Sequence, residues 1–168
     1  MYRRRSSRGP IGLKIGLGIA AILLLWMALR SGASLFTSED KSEAAALVQE
    51  FYKDEQVGDY GSAWELFHPL MQERFSKPEY IQKRAHITMQ DYGVATFQFS
   101  LGEPKLLAGW KMSSEAAELQ GVYEIIVTQK FHSPYGNFEL IQPCYVVNST
   151  GKWRLLWSYQ DKVEEAAE

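Results

Sequence analysis

Few side chains in this sequence could carry chemistry, and most of them are widely separated. His86, Asp91 and Tyr92 come close together in the chain, and their types suit proton transfer. A working acid–base pair needs both groups in one pocket, with pKa values moved toward the operating pH. These three residues are therefore our candidate catalytic residues, while the alternative for Asp91, next to Tyr92, is an ordinary turn residue.

Metal and cofactor chemistry have even less support. The chain has three dispersed histidines, no paired carboxylate motif and one cysteine, Cys144, which excludes an intrachain disulfide. No preformed ligand set results, so we predict that neither a metal ion nor an organic cofactor binds. Residues 142–146 read as a strand in which Cys144 is a small apolar filler, with a reactive thiol as the alternative.

The N-terminus carries a membrane signal. Residues 1–10 form a basic flank, residues 11–33 are mostly apolar, and the first acidic residue is Glu39. Positive flanks are retained in the cytoplasm, so we predict an uncleaved signal anchor whose partner is the lipid bilayer. Lys14 and Arg30 shorten the uninterrupted apolar run below the roughly 20 residues of a usual span, but both side chains can snorkel outward.

Two alternatives remain open for this segment. Small residues at 31–33 suit cleavage, which would make it a secretory signal peptide. Gly12 and Gly16 have the spacing that lets membrane helices pack closely, so a homodimer is a second expectation. The anchored form predicts a single-pass protein of the cell membrane, with its N-terminus in the cytoplasm and the remainder extracytoplasmic.

Beyond the apolar segment we expect a linker at 34–40, one domain at 41–160 and a charged tail at 161–168. The chain after Arg30 has 12 basic and 20 acidic residues. A surface that binds nucleic acid needs clustered Lys and Arg, so we exclude a nucleic-acid partner.

Helical periodicity comes first in this domain and strand periodicity follows. Apolar residues recur at helical spacing over 39–56, a short helix should follow Asp59 and end at Pro69, and a third should cover 76–85. The predicted strands are 94–101, 105–112, 122–132, 138–147 and 153–159. Pro143 marks an edge or a bulge in the fourth of them. The fold class is therefore α+β, with three helices on an antiparallel sheet.

Two passages carry a resemblance. Phe51-Tyr52-Lys53-Asp54-Glu55-Gln56-Val57-Gly58-Asp59-Tyr60-Gly61-Ser62-Ala63-Trp64 resembles the first-helix signature of the NTF2-like superfamily, and Gly151-Lys152-Trp153-Arg154-Leu155 resembles its final strand. The resemblance implies a cone in which a curved sheet wraps the first helix, with Asp, His or Tyr inside it in the enzymes. Within the superfamily, this sequence is similar to membrane-tethered proteins of the cell envelope, including the non-catalytic N-terminal domain of some penicillin-binding transpeptidases.

Aromatic residues leave the function open between two classes. The candidates for lining a ligand pocket are Phe51, Trp64, Phe67, Phe97 and Trp110, although the same rings could fill the cone as a core. We favour a membrane-anchored accessory module, without catalysis, that binds a protein partner in the bacterial cell envelope. The alternative is a small-ligand-binding or isomerase/dehydratase-like enzyme that uses the cone.

Overall fold

The computed structural model describes residues 38–158. Helix α1 covers 38–56 and is followed by α2 (Tyr60–Glu65), α3 (Pro69–Arg74), α4 (Lys77–His86) and a π-helical turn at Ile87–Asp91. The strands are β1 (Gln98–Leu101), β2 (Lys105–Leu107), β3 (Val122–Ser133), β4 (Gly136–Ser149) and β5 (Lys152–Trp157). This mixture of helices and antiparallel strands confirms the α+β class.

Helix α1 forms because its apolar residues share one face. Ala44, Val48, Phe51 and Tyr52 recur at helical spacing and are buried. The helix ends near Gly58, whose φ of 80° is the left-handed conformation that closes many helices. Asp59 then starts α2 as its N-cap, since its carboxylate accepts the backbone N–H of Ser62 at 3.0 Å.

Pro69 has the opposite role from the one we predicted. The second helix ends at Glu65, and Pro69 begins α3 instead of stopping α2. A proline at the first helical position has the right φ and loses no hydrogen bond there. His68 caps this helix, because its Nδ1 accepts the backbone N–H of Leu70 at 3.2 Å.

The sheet has the strand order β1-β3-β4-β5, with β2 also paired to β3, and every pairing is antiparallel. A two-residue turn at Pro134 and Tyr135 joins β3 to β4. The next hairpin turns at Thr150 and Gly151, which have φ values of 54° and 80°. Positive φ at both central positions matches the twist of the strands, and the turn lies between the predicted strands 138–147 and 153–159.

Helices cover one face of the sheet, which we call the inner face. Along β3 the residues Ile125, Val127, Gln129 and Phe131 are buried, and those between them are more exposed. Phe51 of α1 meets the inner-face Trp157 of β5, with ring centroids 5.9 Å apart. The core therefore lies between the helices and this face.

Two predicted strands are shorter in the structure. Residues 94–97 do not pair with β3, because they bond to the ends of helices: Val94 donates to the carbonyl of Thr88, and Gln56 Nε2 donates to the carbonyl of Phe97. The second strand ends at Leu107 instead of residue 112. The chain then folds over the opposite, outer face, where Trp110 stacks on Tyr145 with centroids 4.2 Å apart.

The predictions for residues 1–10 and 11–33, for 34–37 of the linker and for the tail at 161–168 lie outside the described residues. Positions 38–40 of the predicted linker are helical. Within 38–158, no helix combines the length and apolarity that crossing a membrane requires.

Candidate functional site

The candidate acid–base residues lie at the surface. His86 ends α4, and the π-helical turn brings Asp91 back so that Nε2 and Oδ1 are 3.5 Å apart. More than half of each side chain is exposed, at 55% and 54%. Tyr92 points elsewhere, with its ring against Phe131 and Phe138 at centroid distances of 5.1 and 5.0 Å. A pair this exposed lacks the enclosed, water-poor surroundings that are typical of a catalytic pocket.

The five aromatic candidates are not gathered around one cavity. Phe51 and Phe67 are fully buried and touch each other, with centroids 5.2 Å apart. Phe97 is buried further along the interior, where it packs on Phe131 at 5.2 Å. Trp64 is half-buried and donates its indole N–H to the carbonyl of Phe75 at 2.8 Å. Trp110 lies on the outer face.

Rings fill the interior beside α1. Phe67 contacts both Tyr80 and Trp157, with centroids 5.1 and 5.0 Å apart and planes nearly perpendicular. Tyr80 and Trp157 are themselves 6.3 Å apart. Edge-to-face pairs at these distances are favourable packing, so this part of the interior is a core and not an open cone.

A buried ion pair, which the sequence analysis missed, lies at the end of this aromatic core. Glu55 of α1 has no exposed side-chain surface and pairs with Arg84 of α4. Arg84 Nε donates to Glu55 Oε1 at 2.6 Å, its second guanidinium nitrogen donates to Oε2, and the Tyr80 hydroxyl donates to Oε1 at 2.5 Å. The carboxylate is thus neutralised and fully hydrogen-bonded.

The pKa shifts around Glu55 follow from burial and charge. Burial and the neighbouring Glu55 carboxylate raise the pKa of Tyr80 well above its usual value. Burial lowers the pKa of Arg84, but the charge and hydrogen bonds of Glu55 more than offset it, so that pKa lies above its usual range. The sequence could have indicated that Glu55 is buried, because it has the spacing of the apolar stripe of α1. It could not have indicated Arg84 as the partner, because Arg84 is distant in the chain.

Polar groups also line the inner face of the sheet. The Tyr52 hydroxyl lies 3.3 Å from both Gln142 Oε1 and Cys144 Sγ. Burial raises the pKa of Tyr52 well above its usual value and that of the Cys144 thiol to about 12, so both stay protonated. Gln129 is buried, and its side-chain oxygen and nitrogen have no hydrogen-bond partner among the described residues. Buried side-chain amides in native proteins are usually hydrogen-bonded, so Gln129 is an exception among the described residues.

One groove, with a volume of about 670 Å³, opens where residues 93–98 separate from residues 132–134. Gln56 lines it as well, and Phe97 is the one aromatic pocket candidate that does so. His132 also lines the groove, and its Nδ1 lies 3.0 Å from Asn137 Oδ1.

Part of one edge of β4 has no neighbouring strand among the described residues. Strand β5 pairs with Cys144–Ser149 alone, so no described residue pairs with the outer side of 137–143. Ile126 of β3 uses its carbonyl to accept Gly102 N–H at 2.8 Å, and its polar groups therefore point away from β4. The backbone carbonyl of its partner Pro143 must then point away from β3. By alternation, the backbone N–H and C=O groups of Ile141, Glu139 and Asn137 also point away from β3.

The other edges of the sheet are protected. Leu155 of β5 accepts from His68 N–H at 2.9 Å and donates to the Leu66 carbonyl at 3.0 Å, so the α2–α3 connection covers that edge. Strands β1 and β2 are short, which discourages pairing. Edge 137–143, by contrast, carries the exposed Ile141 (64%) beside Ile126 (40%) on the outer face.

Among residues 38–158, no group of three or more His, Cys, Asp or Glu side chains could hold a metal ion. Neither a family model nor a curated protein matches the chain. The NTF2-like resemblance therefore stays a prediction.

Proposed function

We propose that this protein is a single-pass, membrane-anchored interaction module of the bacterial cell envelope, with a non-catalytic NTF2-like domain outside the membrane. The anchor and its orientation rest on the basic flank and the apolar segment 11–33. The domain at 41–160 binds a protein partner, and its interior serves stability.

The observation that carries this proposal is the contrast between interior and edge. Inside, the aromatic rings pack on one another, and the buried Glu55 carboxylate is held in an ion pair with Arg84 instead of facing an open cavity. Outside, backbone groups at 137–143 with which no residue of 38–158 pairs lie next to the exposed side chains of Ile126 and Ile141. A long exposed edge with apolar side chains is a template for binding another chain.

Photo-cross-linking in intact cells tests the proposal. A benzophenone amino acid at Ile126, next to the edge, should give a discrete protein adduct. The same group at Ile81, an exposed isoleucine on α4, is the matched control and should not. Equal adducts from both positions, or none from Ile126, would contradict a specific interaction surface.

Protease accessibility tests the membrane topology separately. Protease added to intact spheroplasts should remove the domain and spare the first 33 residues. Protection of the domain until lysis would mean the reversed orientation. Release of a soluble form beginning near Ser34 would mean that the segment is a cleaved signal peptide.

A second candidate function, binding of a small neutral polar molecule in the interior, is favoured by the buried side chain of Gln129. Both polar atoms of this buried side chain lack partners among the described residues. If nothing pairs with them, Gln129→Met removes a desolvation penalty and should stabilise the domain by about 1–3 kcal/mol. Gln142→Met, the control, loses a hydrogen bond to Tyr52 and should not stabilise it. Destabilisation by Gln129→Met would support a bound molecule, and stabilisation would reject it.

A further inference from the structure

We propose that edge 137–143 of β4 pairs with the same edge of a second copy of this chain, joining the two sheets antiparallel. This inference rests on the proposed function and names the partner of its surface. The backbone N–H and C=O groups of Asn137, Glu139 and Ile141, together with the Pro143 carbonyl, face this edge and find no partner among the described residues. An identical edge, turned through a two-fold axis, supplies complementary groups in the same order.

The length of the exposed stretch fixes the register of this pairing. Its midpoint is Leu140, so an antiparallel pair that uses the whole stretch places Leu140 on the two-fold axis. Glu139 then exchanges both of its backbone hydrogen bonds with Ile141 of the second copy, and Asn137 donates to the carbonyl of its Pro143. Proline fits this place, because its missing N–H would face the edge and β3 loses no bond.

Charge and sterics disfavour the neighbouring registers. A shift of the two-fold axis to position 139 places Glu139 opposite its own copy, and like charges directly opposite are destabilising. A shift to position 141 places Gly136, Asn137 and Phe138 of the second copy beside Cys144–Val146, with which β5 already pairs, whereas the Leu140 register brings only the turn residue Gly136 level with Cys144. In the Leu140 register each Glu139 carboxylate keeps its ion pair with Lys130, at 3.1 Å, on its own chain.

The side chains explain why a second copy suits this edge. Ile126 and Ile141 are diagonal neighbours on the outer face and are 40% and 64% exposed. Two-fold pairing places the Ile141 side chains of both copies as diagonal neighbours across the new junction, within reach of each other. The pairing then covers part of the exposed apolar surface of each Ile141 with the Ile141 of the other copy.

Disulfide cross-linking of the full chain in its membrane tests the register. In the proposed pair the two Leu140 residues face one another at a non-hydrogen-bonded position, where Cα atoms are about 4.5 Å apart and a disulfide can form. Leu140→Cys should therefore give a dimer under mild oxidation. The wild-type chain has only the buried Cys144 and should give no disulfide-linked dimer, and neither should Gln98→Cys on the opposite edge of the sheet.

A second variant keeps the fold and removes the pairing. The Ile141 N–H points away from β3, so Ile141→Pro leaves the β3–β4 bonds intact and deletes bonds that only the second copy makes. Adding it to Leu140→Cys should reduce the cross-linked fraction by about tenfold or more, with an unchanged circular dichroism spectrum.

Three results would overturn the self-pairing. Cross-linking that is insensitive to Ile141→Pro would show that the contact is not a strand pair. Absence of cross-linking until residues 159–168 are deleted would show that the chain's own end occupies the edge. A Leu140→Cys cross-link to a different protein would reject the second copy while leaving the proposed interaction function intact.

Discussion

Replacing Glu55 by Gln should be one of the most destabilising single changes of a charge in this domain. The side chain of Glu55 is completely buried and accepts hydrogen bonds from Tyr80 and from two nitrogens of Arg84. Glutamine has nearly the same shape but no charge, and its amide group faces the guanidinium with a donor where an acceptor is needed.

The magnitude follows from what remains after the change. Arg84, whose side chain is 18% exposed, keeps its charge and loses its only counter-ion within this cluster. Breaking a buried pair in this way costs about 3–5 kcal/mol. Glu79→Gln is the matched control, because Glu79 pairs with Lys83 at 2.7 Å on the exposed face of α4. Exposed pairs of this type contribute about 0.3–0.5 kcal/mol.

Urea denaturation of a fragment containing residues 38–168, monitored by tryptophan fluorescence, measures the loss of unfolding free energy in both variants. The Glu55→Gln midpoint should fall strongly at constant slope, and the Glu79→Gln midpoint should barely move. A loss below about 1 kcal/mol for Glu55→Gln, or equal losses for the two variants, would refute the assignment of a buried, mutually dependent ion pair.

Three further predictions follow from the pKa shifts. Burial and the charge of Arg154 lower the pKa of His68 in the folded protein. As pH drops, the histidine of the unfolded chain is therefore protonated first, and the free energy of unfolding should fall below about pH 6.5. His68→Asn, which can also cap α3, should flatten this pH dependence in acid titrations of stability. The raised pKa of Tyr80 keeps it neutral in the fold, so stability should fall above about pH 10 as unfolded tyrosine ionises, and less steeply in Tyr80→Phe. Burial raises the pKa of Cys144 to about 12, so iodoacetamide at about pH 8 should label this thiol only after unfolding, as mass spectrometry would show.

Local signals predicted the hairpins and the first helix well. The Asn148–Lys152 stretch specified a tight turn because Gly151 supplies a positive φ and Asn148 accepts its N–H at 3.0 Å. The stripe of α1 was readable because burial of one face imposes a period on the sequence. Such features depend on residues that are close together in the chain.

Tertiary contacts decided what the sequence could not. Residues 94–97 alternate as a strand should, yet hydrogen bonds hold them at the helix ends. One comes from Gln56, which is 41 residues away from Phe97, and the other joins Val94 to the π-helical turn at Thr88. Pro69 was ambiguous, because proline both stops one helix and starts another. Tertiary structure also decided the outcome for the candidate catalytic residues. His86 and Asp91 are close in sequence, but the fold leaves both side chains exposed to solvent and not in a pocket.

The central claim is that the domain acts through the edge at 137–143 and not through chemistry in its interior. Residue-resolved amide hydrogen exchange tests it most directly, by comparing a dilute 38–168 fragment with the full chain in its membrane. In the fragment, amides of Asn137, Glu139 and Ile141 should exchange fast, while those of Phe138 and Leu140, bonded to β3, should be protected; in the full chain all of them should be protected. Fast exchange of the odd-numbered amides in both samples, or their protection in the isolated fragment, would contradict the account.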